Sequence, residues 1–224
     1  MKLITYNVLA DCTRHHFPDP EAPVLKREHR TPLILAFLRD ACADIVCLQE
    51  VDKALFGELQ QGLDTAYVSS LALNRDGRFG CAMFVKGPDV AWETLNFADD
   101  SGRTAQTATI DGVTVANVHL DFKRNCDQMR ALVNTLPSSC VVCGDFNASP
   151  NSATVRIAQQ AGFATLPTGP TANTNGRAKV IDFVFARGSE KVRSVRAAAA
   201  IGDKTVLPSA TQGSDHVALI AEIL

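Results

Sequence analysis

The sequence predicts an α/β (α+β) fold, and three observations carry that prediction. Short apolar runs alternate along the chain with stretches whose apolar residues recur at helical spacing. One run, Asp44 to Gln49 (DIVCLQ), is apolar throughout its middle, as a strand buried on both faces must be. Asp111-Gly112 separates two strand-like runs by two residues, the signature of a tight hairpin, so the middle of the chain is expected to be largely antiparallel. The chain has 224 residues, long enough to bury a two-sided sheet core. It carries no internal repeat, low-complexity tract or linker, so a single domain over residues 1–224 is expected.

In order, Leu3 to Leu9 reads as the first strand. Thr31-Pro32 has the form of an N-cap followed by Pro at the first helical position, and Ile34, Phe37, Leu38 and Ala41 continue the helix. Asp44 to Gln49 is the second strand, and a helix from about Asp52 to Leu63 follows. Ala66–Leu73, Cys81–Lys86, Val90–Phe97, Ala105–Ile110 and Val113–His119 are strands. A helix over Asn125–Leu136 has Cys126, Met129, Val133 and Leu136 on one face. Ser139 to Gly144 is a strand, Ser149-Pro150 caps a helix running to Ala161, and Val180–Ala186, Val192–Ala197 and His216–Ile223 close the set. Two long polar loops, Leu166–Lys179 and Asp203–Ser214, flank the last strands and are candidates for function.

Composition narrows the classes. A chain that is 46% hydrophobic and 21% charged, with a net charge of −2, is globular and no general polyanion binder. A nucleic-acid footprint would have to be small, or a bound cation would have to supply positive charge. Seven cysteines lie in apolar runs, and Met1-Lys2 leads directly into Leu3-Ile4-Thr5-Tyr6, which is no secretory leader. Reduced thiols and a cytoplasmic location are expected. Cys140-Val141-Val142-Cys143 has CxxC spacing, but in a strand positions i and i+3 face opposite ways, so these are expected to be core thiols. No apolar run approaches the roughly 20 residues of a membrane span.

The informative pattern is where polar residues fall. Asn7, Glu50, His119, Asp145 with Asn147, and Asp215-His216 all lie at or near the ends of apolar strands, and Asp182 lies inside another. Singly each has a bland reading: a turn former, the first solvated residue, a satisfied structural imidazole. Together, on adjacent strand ends, they converge on one cleft. Oxygen donors with one or two imidazoles suit Mg²⁺ or Mn²⁺, and no Cys/His pairing has zinc spacing. Such a cleft suits phosphodiester hydrolysis: the cation neutralises phosphoryl oxygens, a carboxylate activates water, and an imidazole steadied by a second carboxylate donates to the developing charge.

Gly144-Asp145-Phe146-Asn147 with Ser149-Pro150, and Ser214-Asp215-His216, resemble the signature of the endonuclease/exonuclease/phosphatase superfamily. Tyr6-Asn7-Val8-Leu9-Ala10-Asp11, Cys47-Leu48-Gln49-Glu50-Val51-Asp52 and Gly80-Cys81-Ala82-Met83-Phe84 resemble its deadenylase-like branch: CCR4-type deadenylases, nocturnin, the Angel proteins and 2′-phosphodiesterase. The resemblance implies a four-layer sandwich of two packed mixed β-sheets flanked by helices. It implies Glu50 as principal metal ligand with Asn7 beside it, Asp145 as the residue orienting or activating water, and Asn147 as a phosphate or second-metal contact. It implies His216 on the scissile phosphate with Asp182 as its partner, His119 as a second phosphate contact, and Asp215 as a further ligand or positioning group.

Around these, Lys123-Arg124 could grip a phosphate backbone or simply be solvated at a helix start. Asn173 and Arg177 are candidates to border the substrate, and Arg14-His15-His16 to form a rim. Phe17 and Phe122 could stack on bases, although core or loop anchoring is the commoner role. Lys26 to Arg30 reads as a solvated charged stretch. The expected activity is Mg²⁺- or Mn²⁺-dependent phosphodiester hydrolysis at RNA 3′ ends, whether deadenylase-like, 2′,5′-linked or cyclic-phosphate, by a monomer without membrane contact. An abasic-site DNA-repair endonuclease, a phosphatase of small or lipid phosphoesters, and a non-catalytic binding module are the alternatives.

Overall fold

The computed structural model describes residues 1–174 and 176–224. Eleven strands form two mixed sheets among the described residues. The first comprises β1 (Lys2–Asn7), β2 (Ile45–Val51), β3 (Tyr67–Leu73), β4 (Gly80–Lys86), β10 (Val192–Ala197) and β11 (Leu219–Ile223), in the order β10-β11-β1-β2-β4-β3. The second runs β5-β6-β7-β8-β9, from β5 (Ala91–Asn96), β6 (Thr104–Ile110), β7 (Val113–His119), β8 (Cys140–Asp145) and β9 (Asp182–Arg187). Four helices cover the outer faces: α1 (Arg27–Ala41) and α2 (Lys53–Gly62) on the first sheet, α3 (Asn125–Thr135) and α4 (Ala153–Gln160) on the second.

Three apolar cores follow from these four layers. Between the sheets, Leu3, Ile45, Cys47 and Met83 meet Ala108, Val115, Val141, Cys143 and Val184. Ile34, Leu38, Leu55 and Leu59 of α1 and α2 close on Ile4, Val46, Leu48 and Phe84. Met129, Leu132 and Val155 of α3 and α4 close on Phe146 and Phe185, whose rings meet edge-on at 5.2 Å. Cys140 lies in the helix-side core and Cys143 in the inter-sheet core, opposite faces of one strand. The expected hairpin forms at Asp111 (φ 51°) and Gly112 (φ 81°), both left-handed as its tight turn requires.

Each sheet has one parallel pair at its heart: β1 with β2, and β7 with β8. Across the interface β1 packs on β8 and β2 on β7, so the C-terminal ends of both pairs reach the same edge of the sandwich. In register, Asn7 sits opposite Gln49 in one sheet and His119 opposite Asp145 in the other.

Three boundaries differ from the sequence reading by three residues or more. Helix α1 starts at Arg27, with Thr31 and Pro32 inside it. The cause is Arg30, which is 2% exposed rather than solvated. Its guanidinium donates to the carbonyls of Val8 (2.7 Å), Leu9 (2.8 Å) and Leu25 (3.0 Å) and pairs with Asp11, pinning the first helical turn inward. Helix α4 starts at Ala153, and its cap is Ser152, whose Oγ accepts from Val155 N; Ser149 lies in the preceding turn. Strand β11 begins at Leu219, and His216 makes only an isolated bridge to Ala172.

Candidate active site

Local backbone geometry at the strand ends turns the polar residues into one space. A bulge in the β2–β4 ladder falls between Gln49 and Val51, and Glu50 there has φ 63°. This lets Gln49 stay between the sheets while Glu50 turns into the cleft. Gly144 (φ 141°) precedes Asp145, and a Cβ at that position would sit 1.9 Å from the Val118 carbonyl. Only glycine allows β7 and β8 to approach so closely just before His119 and Asp145. Asn147 is also left-handed, at φ 47°. Strained non-glycine residues of this kind concentrate at functional sites.

A polar network holds the floor. Gln49 Nε2 donates to Asn117 Oδ1 (2.7 Å) and Thr5 Oγ1 (2.9 Å), and Asn117 Nδ2 donates to the carbonyls of Leu48 and Ala82. It links the two sheets beneath the site. Asn7 Nδ2 donates to Glu50 Oε1 (3.0 Å) and Asp145 Oδ2 (3.1 Å), so one amide ties carboxylates from both sheets. Ala10 N (2.8 Å) and Thr13 Oγ1 (3.2 Å) donate to Glu50 Oε2. Asn147 N donates to Asp145 Oδ1 (2.8 Å), fixing the orientation of that carboxylate.

Two imidazoles face Asp145 Oδ2: His119 Nε2 at 3.6 Å and His216 Nε2 at 3.7 Å. His216 Nδ1 is 2.9 Å from Asp182 Oδ2. His119 Nδ1 is 3.0 Å from Arg103 Nη1. Burial, and then Asp182, push the Asp145 carboxyl up to about 7, against His216. Burial also opposes charge on His216, but Asp182 outweighs it and raises the imidazole well above its usual value. Burial lowers His119 well below that value, and Arg103 and His216 lower it further.

Above these groups opens a cleft of about 420 Å³, bordered by Glu50, Asp145, Asn147, His119, Asp215 and His216. Asp215 accepts from Thr174 Oγ1 at 2.6 Å. Asn7 and Asp182 lie immediately behind this wall, each bonded to a residue that lines it. Asp145, Asp182 and His216 also bring their donor atoms within 4.8 Å of one another, close enough to hold a cation.

The four cleft-side candidates from the loops behave differently. Asn173 is 2% exposed, and its amide donates to the carbonyls of Gly202, Asp203 and Thr205, stitching the two long loops together behind the cleft. Arg124 forms an exposed ion pair with Asp100 through two bonds of 3.0 and 3.1 Å. Lys123 and Arg177 are exposed and outside the cleft lining. Phe122, between Asp121 and Lys123, is on the rim at 75% exposure, so it anchors no core. Phe17 and His16 also border the cleft.

Sequence reasoning missed Arg103, Phe79, Thr13, Thr174 and Lys179, all of which line the cleft. Thr13 is the residue whose Glu50 contact depends on the short 3-10 turn Asp11–His16. Lone polar residues in irregular segments carry no periodic signal, and only the close spacing of Thr13 to the Asn7 strand end could have marked it.

The model of the endonuclease/exonuclease/phosphatase family matches residues 4–216. Carbon catabolite repressor protein 4 homolog 3 of Arabidopsis thaliana is 28% identical over 183 residues, which are 67% of this chain and 40% of that protein. The CCR4-Not complex 3′-5′-exoribonuclease subunit Ccr4 of Aspergillus clavatus is 33% identical over 99 residues, 38% of this chain and 15% of that one. The chain therefore spans less than half the length of these curated relatives. The crystal structure of ANGEL2, a 2′,3′-cyclic phosphatase, in complex with adenosine-2′,3′-vanadate, shares the fold at a TM-score of 0.75 and 17% identity, over 99% of this chain and 94% of that one. The two-sheet sandwich, the ordered motifs and the match from residue 4 to 216 agree: this chain belongs to the endonuclease/exonuclease/phosphatase family, whose members are hydrolases acting on phosphoester bonds.

Proposed function

We propose that residues 1–224 form one catalytic domain that hydrolyses phosphodiesters at RNA 3′ ends with Mg²⁺ or Mn²⁺. The observation that carries this reading is the meeting of Asn7, Glu50, Asp145, His119 and His216 at the shared edge of both sheets.

The donor set fits a hard cation. Glu50, Asp145 and Asp215 offer oxygens at the cleft wall, with the Asn7 amide directly behind Glu50 and Asp145, and among the described residues no thiol borders the cleft. Among the described residues, Asp145, Asp182 and His216 form the tightest cluster. However, the Nδ1 proton of His216 is shared with Asp182, and a cationic ring repels a second cation. The ion therefore belongs on the Glu50 and Asn7 side. A divalent cation held there supplies charge neutralisation at the phosphoryl oxygens.

Asp145, with its carboxyl poised near neutrality, orients the attacking water and accepts its proton. His216, charged and steadied by Asp182, donates from Nε2 to a non-bridging oxygen as negative charge builds there. His119 donates from the other side as a neutral ring. Asn147, whose own Nδ2 is given to the Leu120 carbonyl, keeps Asp145 aligned through its backbone N–H.

An RNA end is favoured over duplex DNA on three grounds. A cleft of about 420 Å³ matches one terminal nucleotide, Phe122 offers an exposed stacking face on its rim, and a net charge of −2 lacks the basic tract that a duplex binder needs. The activities named for Ccr4 and ANGEL2 point the same way. Among the described residues no helix is long and apolar enough to cross a membrane.

The test is hydrolysis of labelled oligo(A) RNA, 2′,5′-linked oligoadenylate, a 2′,3′-cyclic-phosphate RNA end and abasic duplex DNA, each with Mg²⁺, Mn²⁺ or EDTA. Metal-dependent cleavage of an RNA member is expected. Preference for the abasic duplex would move the assignment to DNA repair.

A further inference from the structure

We propose that Arg103 is a positioning residue that locks His119 in the tautomer carrying its proton on Nε2. Arg103 Nη1 lies 3.0 Å from His119 Nδ1, and a guanidinium has hydrogens to give but no lone pair to offer. Nδ1 must therefore be the acceptor, and the ring proton must sit on Nε2. On that side the ring meets acceptors: Asp145 Oδ2 at 3.6 Å and Glu50 Oε1 at 4.0 Å, with the cleft beyond.

The guanidinium is held as well as aimed. Its central carbon lies 5.2 Å over the Phe79 ring, and the same ring packs 6.3 Å from the His119 imidazole, so one aromatic side chain seats both partners. The Arg103 backbone N donates to Ser101 Oγ (3.1 Å), and Gln128 Nε2 donates to Ser101 Oγ (2.9 Å) and Asp99 Oδ2 (2.8 Å). Gln128 Oε1 in turn accepts from Asp121 N at 2.7 Å, two residues after His119. The loop that carries Arg103 is thus fastened through α3 to the segment that carries the imidazole.

The consequence is a directed hydrogen-bond donor. With the proton on Nε2, His119 presents an N–H to a phosphoryl oxygen; with it on Nδ1, a lone pair would face the same anion and repel it. That catalytic consequence rests on the phosphodiesterase reading, whereas the tautomer itself does not.

The experiment uses the full chain labelled with ¹⁵N-histidine, metal-free, beside Arg103→Met and Arg103→Gln. In the wild type, His119 Nδ1 is expected to resonate as an unprotonated nitrogen and Nε2 as a protonated one. Arg103→Met should release the ring into exchange between tautomers. Arg103→Gln, whose amide can still donate to Nδ1, should keep the wild-type pattern and shows that loss of the lock is not loss of the fold. A wild-type ring protonated at Nδ1, or one unchanged in Arg103→Met, overturns the proposal whatever the enzyme cleaves. In hydrolysis of oligo(A) RNA with Mg²⁺, Arg103→Met should lower kcat about 10–100-fold, the usual cost of losing an orienting partner, with KM unchanged. In a His119→Gln background the same change should cost nothing further. A raised KM with kcat intact would instead assign Arg103 to holding the substrate and overturn the positioning role.

Discussion

His119, at the end of β7, and His216, ahead of β11, reach the same carboxylate oxygen at nearly equal distance and with the same 5% exposure, yet their pKa values shift in opposite directions. Burial drives both rings toward neutrality. What separates them is the partner on Nδ1: a carboxylate on His216, a guanidinium on His119. The pair teaches that burial alone does not set the charge of an active-site imidazole; the residue behind it does. The site thereby pairs an imidazole whose cationic form is favoured with one whose neutral form is favoured, within one small cleft.

Removing the carboxylate breaks the comparison most severely. Asp182→Asn should leave both rings neutral and lower kcat on the order of a thousandfold or more, as loss of an orienting carboxylate does in related dyads. Steady-state kinetics with a circular dichroism check of folding measures this, and near-wild-type kcat would mean that His216 needs no charge. His119→Gln should cost less, about a hundredfold, because one neutral donor is lost while the charged ring remains. Equal losses from the two changes would erase the distinction between the rings.

The opposite shifts also predict opposite pH dependences of stability in metal-free protein. The raised pKa of His216 gives stability that is fully present below its unfolded value of roughly 6.5 and lost as pH rises through the folded value. The depressed pKa of His119 gives the reverse: stability is complete above roughly 6.5 and lost as pH falls through the folded value. Asp145, raised to about 7, binds its proton more tightly in the folded state, so it too loses stability as pH rises from roughly 4 toward 7. Asp182→Asn should flatten the decline above neutrality, and His119→Gln should remove the loss on acidification. Urea unfolding between about pH 5 and 9 in EDTA measures both, and parallel curves for the two variants would contradict the assignment. Smallest of all, Arg124→Ala should leave kcat and KM unchanged, because its guanidinium is paired with Asp100 on the surface; a raised KM would return it to the substrate.

Much of this was legible in the sequence. Strand-end placement of Asn7, Glu50, His119 and Asp145 marked the cleft, because the C-terminal ends of the two parallel pairs share one edge of the sandwich, which His216 joins from just ahead of β11. The apolar patterns marked all eleven strands and four α-helices of the described residues, twelve of these fifteen to within two residues at each end, and Asp111-Gly112 gave its turn. Arg30 was misread as solvated because its partners, the carbonyls of Val8, Leu9 and Leu25, are made by tertiary closure and leave no mark in the local pattern. Asn173 was misread for the related reason that a polar loop residue looks the same whether it faces substrate or ties two loops together. Arg103 lay outside any periodic segment, and its meaning depends on a ring sixteen residues away.

The measurement that tests the account most directly is hydrolysis of oligo(A) RNA with Mg²⁺ or EDTA by the wild type, Glu50→Ala and His216→Ala, each first shown to be folded. The account predicts cleavage by the wild type that requires Mg²⁺ and is lost in both variants. Cleavage that survives in either variant, or that proceeds equally in EDTA, would contradict it.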